Sequence, residues 1–289
     1  MPMPFSALAA TLDALEPVTG RTQMIGILSE LLAQATPEEI GRLVYLAQGR
    51  LLPDFIQEEF GMNERLIYRS VAQAYDVPHD EVVARSKELG DAGLVAQNFA
   101  EKAEQRAGDG HEEAATVLSV YDHLMRITKA VGSGSQEAKV SLLASLLQKL
   151  TPVEAKHVAR IVVGRLRVGV GDPTLLDALS VAKAGDKSLR PVLERAYNLS
   201  SDLGLVATTL YGRGVNGLED IHVKVGNPVR MALAERADTA EEIVARLGKC
   251  AVEPKYDEKL ERYMLAINRM QHGVVRHREV LDDARNDLG

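Results

Sequence analysis

The sequence contains one cysteine, no tryptophan and few rings of any kind, aromatic residues making up 4% of it. A single thiol, Cys250, excludes an internal disulfide, and no Cys/His pair stands at zinc-finger spacing, so no structural metal is expected. So few rings argue against a platform on which single-stranded bases stack. No apolar run is long enough to span a membrane. The amino-terminal "MPMPFSALAATLDALEP" lacks the basic start and small-residue cleavage site of a signal peptide, so a cytoplasmic location is expected. No G-K-[ST] occurs, which excludes a phosphate loop of the NTPase type.

What is present is a chain of 289 residues, 46% apolar, enough for a substantial core. The net charge of −7 argues against indiscriminate coating of nucleic acid, but the charge is uneven. Between Ala130 and Arg230 there are 13 Lys/Arg against 9 Asp/Glu, a surplus of +4 that leaves −11 for the remainder.

The apolar pattern has the helical period almost throughout. In "MIGILSELLAQATPEEIGRLVYLAQGRLL" the residues Ile27, Leu28, Leu31 and Leu32 share a face, and "TPEE" starts a second helix, with Thr36 as cap, Pro37 first and Glu39 third. "SLLASLLQKLTPVEAKHVARIVVGRL" repeats the arrangement with Thr151, Pro152 and Glu154. A constant offset matches Leu31/Leu146, Leu32/Leu147, Thr36/Thr151, Pro37/Pro152, Glu39/Glu154, Gly49/Gly164, Arg50/Arg165 and Leu51/Leu166. Farther on, "SVAQAYD" from Ser70 meets "SVAKAGD" from Ser180, and Asp91, Gly93, Leu94, Val95 and Ala96 match Asp202, Gly204, Leu205, Val206 and Ala207. The expected fold is all-α: a compact multi-helix domain over 1–236 built from an internally duplicated module, with related halves at about 5–99 and 116–225.

The duplication also decides against reading "RIVVGRLRVGVGDPTLL" as a strand entering a dinucleotide loop. The first copy has "RLVYLAQGRLLPDFIQEEFG" there, with helical spacing and no glycine pair, and the third glycine is missing. "AEKAEQRAGDGHEEAA" joins the copies as an expected exposed loop. Gly226 to Pro228 should turn, and Thr239 should cap a short helix through Leu247.

Three polar stretches could meet phosphate. In "AVGSGSQEAK", Gly132, Ser133 and Gly134 loosen the backbone, Ser135 can cap the following helix, and the exposed helix amino end and Lys139 offer positive charge. In "GRLRVGVGDPTLLDAL", Arg165 and Arg167 flank a turn where Gly169 and Gly171 permit close approach beside Thr174. Arg165 recurs as Arg50, whereas Arg167 is Leu52 in the first copy, which favours Arg167 as the functional residue. "AYNLSSDLG" and "TTLYGRG" add Asn198, Ser200, Ser201 and Arg213. Such contacts position a duplex without reading its bases.

Taken with "VEPKYD" and "GNPVRMALAER", these stretches resemble the N-terminal DNA-binding domain of ATP-dependent DNA ligases of the archaeal and eukaryotic replicative type, over roughly residues 5 to 257. The resemblance implies an all-helical domain that grips the minor groove of nicked duplex DNA, acting with a nucleotidyltransferase domain, an OB-fold domain, ATP and Mg²⁺. A sliding clamp or a separate catalytic domain is a possible partner. Lys255 stands at the family's adenylated-lysine position, with Glu253 near the adenine pocket.

The pattern then departs from the family's K-Y-D-G-x-R, because Glu258, Lys259 and Leu260 follow Lys255, Tyr256 and Asp257. Only 32 residues follow Asp257. The expectation for 237–289 is therefore a linker, a remnant of the adenylation motif and a helix carrying Leu260, Met264, Ile267 and Met270 on one face. No competent catalytic residue and no cofactor are expected of this chain alone. Two other readings stand beside this one: a helical-repeat scaffold that binds protein, and an intact ligase seen through a fragment or a shifted reading frame.

Overall fold

The computed structural model describes residues 2–107 and 114–230, together with the backbone of 253–257 and 262–266. Residues Met1–Val229 form one compact unit and Arg230–Gly289 a second, whereas the sequence suggested an edge near Arg236. In the first unit the first copy contributes α1 (Phe5–Leu15), α2 (Arg21–Leu32), α3 (Ile40–Ala47), α4 (Glu64–Tyr75), α5 (His79–Leu89) and α6 (Ala92–Ala107). The second contributes α7 (Val117–Thr128), α8 (Ser135–Leu147), α9 (Pro152–Val163), α10 (Asp172–Ala184), α11 (Arg190–Ser200) and α12 (Leu203–Glu219). The domain is all-α, as expected, and among the described residues no helix is long and apolar enough to cross a membrane.

Local chemistry sets the helix ends twice over. Thr151 N–H donates to Glu154 Oε2 at 2.8 Å, closing a capping box at the start of α9 with Pro152 in its first turn. Thr36 N–H donates to Glu39 Oε2 at 3.2 Å in the same way, but residues 37–39 form a turn and α3 begins only at Ile40. Glu39 has a second task, because its Oε1 accepts the Met3 N–H at 2.6 Å and so holds the chain start against α3. At the other end, Gly49 and Gly164 adopt φ of +73° and +71°, the left-handed stop that glycine takes without a Cβ penalty. Arg50 and Arg165 N–H then reach back to Tyr45 O and Arg160 O.

The two copies exchange partners. Helix α3 packs on α12 of the other copy while its counterpart α9 packs on α6, and α2 lies on α10 while α8 lies on α4. Ahead of α1 and α7, Pro4 and Thr116 form an antiparallel bridge, with Phe5 N–H on Ala115 O at 2.7 Å and Val117 N–H on Met3 O at 2.9 Å. Reciprocal bonds of this kind are what a local two-fold relation between the copies produces. The close helix crossings need glycine: a Cβ on Gly204 would lie 2.2 Å from the Tyr45 ring, and one on Gly93 would lie 2.7 Å from Lys156 O.

The core therefore belongs to both copies at once. Leu28, Leu32, Leu43, Leu143, Leu147, Val158 and Ile161 are fully buried, and each such side chain contributes about 1.5–3 kcal/mol relative to exposure. Helix α1 is fastened to α9 by charge as well: Lys156 Nζ pairs with Asp13 and, at 2.7 Å, with Glu16, and Arg160 Nη1 donates to Glu16 at 2.5 Å.

Three expectations need correction. The segment joining the copies does not begin as a loop at Ala100, since α6 continues to Ala107; "AEKAEQRA" consists largely of strong helix formers. Ser135 is the first residue of α8 and Gly134 is its cap. The helix expected across Met264 is absent at that point: Arg262–Ala266 forms strand β2, paired antiparallel with β1 (Glu253–Asp257), Lys255 facing Met264. Helical spacing of a few apolar residues is ambiguous over so short a run, and ladder hydrogen bonds to a neighbouring extended segment override it. The Gly226 turn forms, with Asn227 N–H on Lys224 O at 3.0 Å. The helix expected from Thr239 to Leu247, and Glu258, Leu260, Ile267 and Met270, lie outside the described residues.

Candidate nucleic-acid interface

Helix amino ends gather on one part of the helical unit. Helices α2, α8 and α10 start after Gly20, Gly134 and Gly171, and no side chain caps any of the three. Helix α4 differs, because Asn63 Oδ1 accepts from Leu66 N–H at 3.1 Å. Side-chain contacts join these ends into a strip. Glu137 in the first turn of α8 receives Arg69 Nη2 of α4 on both oxygens at 2.7 Å. Arg165, on the loop after α9, donates Nη1 to Glu64 at the start of α4, 3.1 Å away. Farther along that loop, a Cβ on Gly169 would lie 3.9 Å from Met24 in the first turn of α2. Arg21, the first residue of α2, donates to Pro173 O at 3.2 Å and Asp177 Oδ2 at 2.9 Å on α10.

The loop between α9 and α10 is the centre of the strip. Its burial alternates: Leu166 and Val168 point inward, and Arg165, Arg167 and Gly169 are exposed. Arg167 adopts φ +60°, the left-handed region, which costs an L-residue about 1–2 kcal/mol. An ion pair faces it, with Nε 3.0 Å from Asp91 Oδ2. The Asp91 carboxyl is held below the usual carboxylate range; burial opposes this, but the Leu94 N–H and the Arg160 and Arg167 guanidinium groups outweigh it.

Most of the residues expected from the sequence meet on this strip. Ser133 and Gly134 are exposed ahead of α8, Arg165, Arg167 and Gly169 lie on the central loop, and Gly171 caps α10. Asn198 is half-buried on α11, whose Tyr197 hydroxyl reaches Asp172 of α10 at 2.6 Å.

Four residues are placed otherwise. Lys139 does not present its charge to solvent, because its buried ammonium donates to Phe60 O at 2.6 Å and holds the loop ahead of α4. Thr174 is buried within α10. Ser200 is also buried, and its hydroxyl donates to Ala196 O at 2.8 Å. Arg213 pairs with Asp220 beyond Tyr211, whose hydroxyl donates to Leu32 O at the carboxyl end of α2. The twelve residues of α2 separate that end from the strip by about 18 Å.

Sequence reading also missed residues. Arg69 was hidden inside an ordinary helix face, and Arg21, Lys187 and Arg190, which converge on the single buried carboxylate of Asp177, come from separate segments. The doubled module held a usable signal: Gly20 and Arg21 occupy in the first copy the place of Ser135 and Gln136 in the second.

Among the described residues one group of three carboxylate and imidazole ligand atoms lies close together, at Asp13, Glu16 and His157. Lys156 Nζ occupies the space between the two carboxylates, so the group is an ion-pair network and not a metal centre. His157 is driven down to about 4, chiefly by burial and then by the Lys156 charge.

The strip combines glycine-led backbone, uncapped helix amino ends and guanidinium groups with spare donors. That set suits a row of phosphates better than a planar base or an apolar ligand.

Comparison with known proteins agrees with the resemblance seen in the motifs. Residues 4–180 match the family model described as DNA ligase N terminus. A probable DNA ligase of Dictyoglomus thermophilum is 45% identical over 255 residues, covering 88% of this chain and 42% of that protein. A DNA ligase of Hyperthermus butylicus is 42% identical over 270 residues, covering 89% and 44% respectively. A probable DNA ligase of Aquifex aeolicus is 41% identical over 256 residues, covering 88% and 43%. The chain thus spans less than half the length of the curated relatives it matches. A family model that covers most of the chain, over helices whose order and caps follow the doubled motifs, settles the relationship: the chain belongs to the DNA ligase N-terminus family.

Proposed function

We propose that this chain holds nicked duplex DNA by its backbone, as the DNA-binding part of an ATP-dependent DNA ligase. The observation that carries the reading is the strip itself: three glycine-led helix amino ends, linked through Arg69, Arg165 and Arg21, with Arg167 exposed on the loop between α9 and α10. Helix amino ends and arginine forks bind phosphate without reading bases, and the exposed glycines let the backbone approach a groove. The low aromatic content, 4% with no tryptophan, supports a duplex over a single strand.

Lys255 stands where the family's adenylated lysine would stand; in a full-length relative ATP would be the source of AMP and Mg²⁺ would stabilise phosphate charge. Lys255 lies in β1 of the second unit. The chain alone is proposed to bind without sealing. The processes served would be replication, repair and recombination in the cytoplasm, with a separate catalytic domain or a sliding clamp as partner.

The test is fluorescence anisotropy with labelled nicked, intact and single-stranded DNA over a salt series. The expected result is duplex binding that weakens steeply with salt, and loss of affinity in Arg165→Ala and Arg167→Ala. No duplex binding at low salt, together with capture of a protein partner, would replace this reading with the helical scaffold.

A further inference from the structure

The doubled module provides an internal comparison for Asp91. Asp91 and Asp202 are equivalent: each accepts a first-turn N–H, from Leu94 and Leu205, at 2.9 Å, and so caps its helix. Each also takes one donor from the other copy, Arg160 Nε at 3.1 Å for Asp91 and Tyr45 Oη at 2.5 Å for Asp202. There the equivalence stops. Asp91 has a third partner, Arg167, at Oδ2, and the residue matching Arg167 in the first copy is Leu52, which carries no charge.

We propose that Asp91 is a positioning residue for Arg167, fixing that guanidinium so that its terminal amino groups face one backbone phosphate of the bound duplex; this rests on the duplex reading above. Three observations support it. The Asp91 carboxylate is 6% exposed and is immobilised at Oδ1 by Leu94 and Arg160, so it is a rigid support. The nearest approach to Arg167 is through Nε, which leaves the terminal amino groups as the unengaged part of the fork. The Arg167 side chain is 53% exposed despite the pair, so it is held without being covered.

Charge counting alone makes the opposite forecast. Removing a carboxylate from a phosphate-binding strip should tighten binding, whereas removing a support for the arginine should loosen it. Asparagine caps helices about as well as aspartate, so Asp91→Asn removes the charge and keeps the cap.

The experiment measures nicked-duplex affinity by anisotropy for the whole chain and for Asp91→Asn, Arg167→Lys, Arg167→Ala, the Asp91→Asn/Arg167→Ala double variant and Asp202→Asn, with thermal melts alongside. Asp91→Asn is expected to bind roughly 5- to 10-fold more weakly, and the double variant no more weakly than Arg167→Ala. Asp202→Asn should bind as the parent does. Arg167→Lys should fall within about twofold of Arg167→Ala, because a lysine drawn to Asp91 has no second arm for the phosphate. Unchanged or tighter binding by Asp91→Asn while Arg167→Ala is impaired overturns the positioning role and leaves the duplex reading intact. Parent-like binding by Arg167→Lys overturns it too, even if Asp91→Asn proves too unstable to assay. Absence of duplex binding by the parent chain overturns the duplex reading itself.

Discussion

The Tyr45 hydroxyl donates to Asp202 Oδ1 across 2.5 Å, joining α3 of one copy to the cap of α12 in the other. The equivalent bond, Arg160 to Asp91, joins α9 to the cap of α6. Tyr45 is raised well above the usual phenol range, first by burial and then by its bond to Asp202, so it remains a donor at any working pH. Tyr45→Phe should therefore destabilise the protein by about 1.5–3 kcal/mol, the usual worth of a hydrogen bond to a charged group. Urea unfolding measures it, and an unchanged midpoint would show that water replaces the hydroxyl.

Gly204→Ala tests the same crossing from the other side. Helix propensity favours alanine by about 1 kcal/mol, but the added Cβ would lie 2.2 Å from the Tyr45 ring. The clash should win, with a net loss of about 1–3 kcal/mol or more. Gly26, where a Cβ meets nothing within 4 Å, is the comparison site, and Gly26→Ala should stabilise.

Within the strip, Glu137→Gln should raise affinity for duplex. The carboxylate sits in the first turn of α8, 68% exposed, and pairs with Arg69. Its removal takes away an anion that repels phosphate and frees the guanidinium. The expectation is a gain of about threefold to tenfold at low salt, with a salt slope steeper by about one counterion. A loss of affinity would mean that the pair orients Arg69 as Asp91 is proposed to orient Arg167.

Lys139→Met separates charge from support. The ammonium is committed to Phe60 O, so its loss should cost about 1–3 kcal/mol of stability through the loop ahead of α4. The salt slope of duplex binding should stay at its parent value. A slope lowered by one would restore Lys139 as a phosphate contact.

Stability should fall as pH drops from about 6.5 towards 4. His157 stays neutral in the folded protein to about 4, whereas the unfolded chain takes up its proton near 6.5, so the unfolded state binds more protons across that interval. The slope from this one group approaches about 1.4 kcal/mol per pH unit. Burial pulls the Asp13 and Glu16 carboxyls up, but Lys156 and His157 at Asp13, and Lys156 and Arg160 at Glu16, outweigh it and hold both below their ordinary values, so they add to the loss at the acid end. Denaturant midpoints at pH 7, 6 and 5 measure this, and His157→Gln should flatten the upper part of the curve.

Much of this was readable from residues. The capping box at Thr151 and the helical period follow from local rules that act within a few residues, whereas the matching Thr36–Glu39 pair closes a turn and α3 starts later than those rules place it, at Ile40. The alternation of Arg165, Leu166, Arg167 and Val168 likewise marks which side chains leave the surface. Partner exchange was not readable, because nothing within one copy says whether α3 packs on α6 or on α12. Lys139 looked like a surface cation, yet its counterpart in the first copy is Met24, a half-buried apolar residue that already marks the position as inward-facing. Ser200 corresponds in the same way to Leu89 under the offset that aligns Asp202 with Asp91. The strand at Arg262–Ala266 escaped because its partner, Glu253–Asp257, lies outside any window of helical spacing.

The exchange of partners also governs the order of events at the ribosome. When the first copy has emerged, α3 and α6 still lack α12 and α9, and the extended residues at Pro4 wait for Thr116. Half of this molecule is therefore not a smaller domain but an unfinished surface. Two fragments cut between α6 and α7 should complement one another in solution, each supplying the apolar faces that the other cannot cover alone.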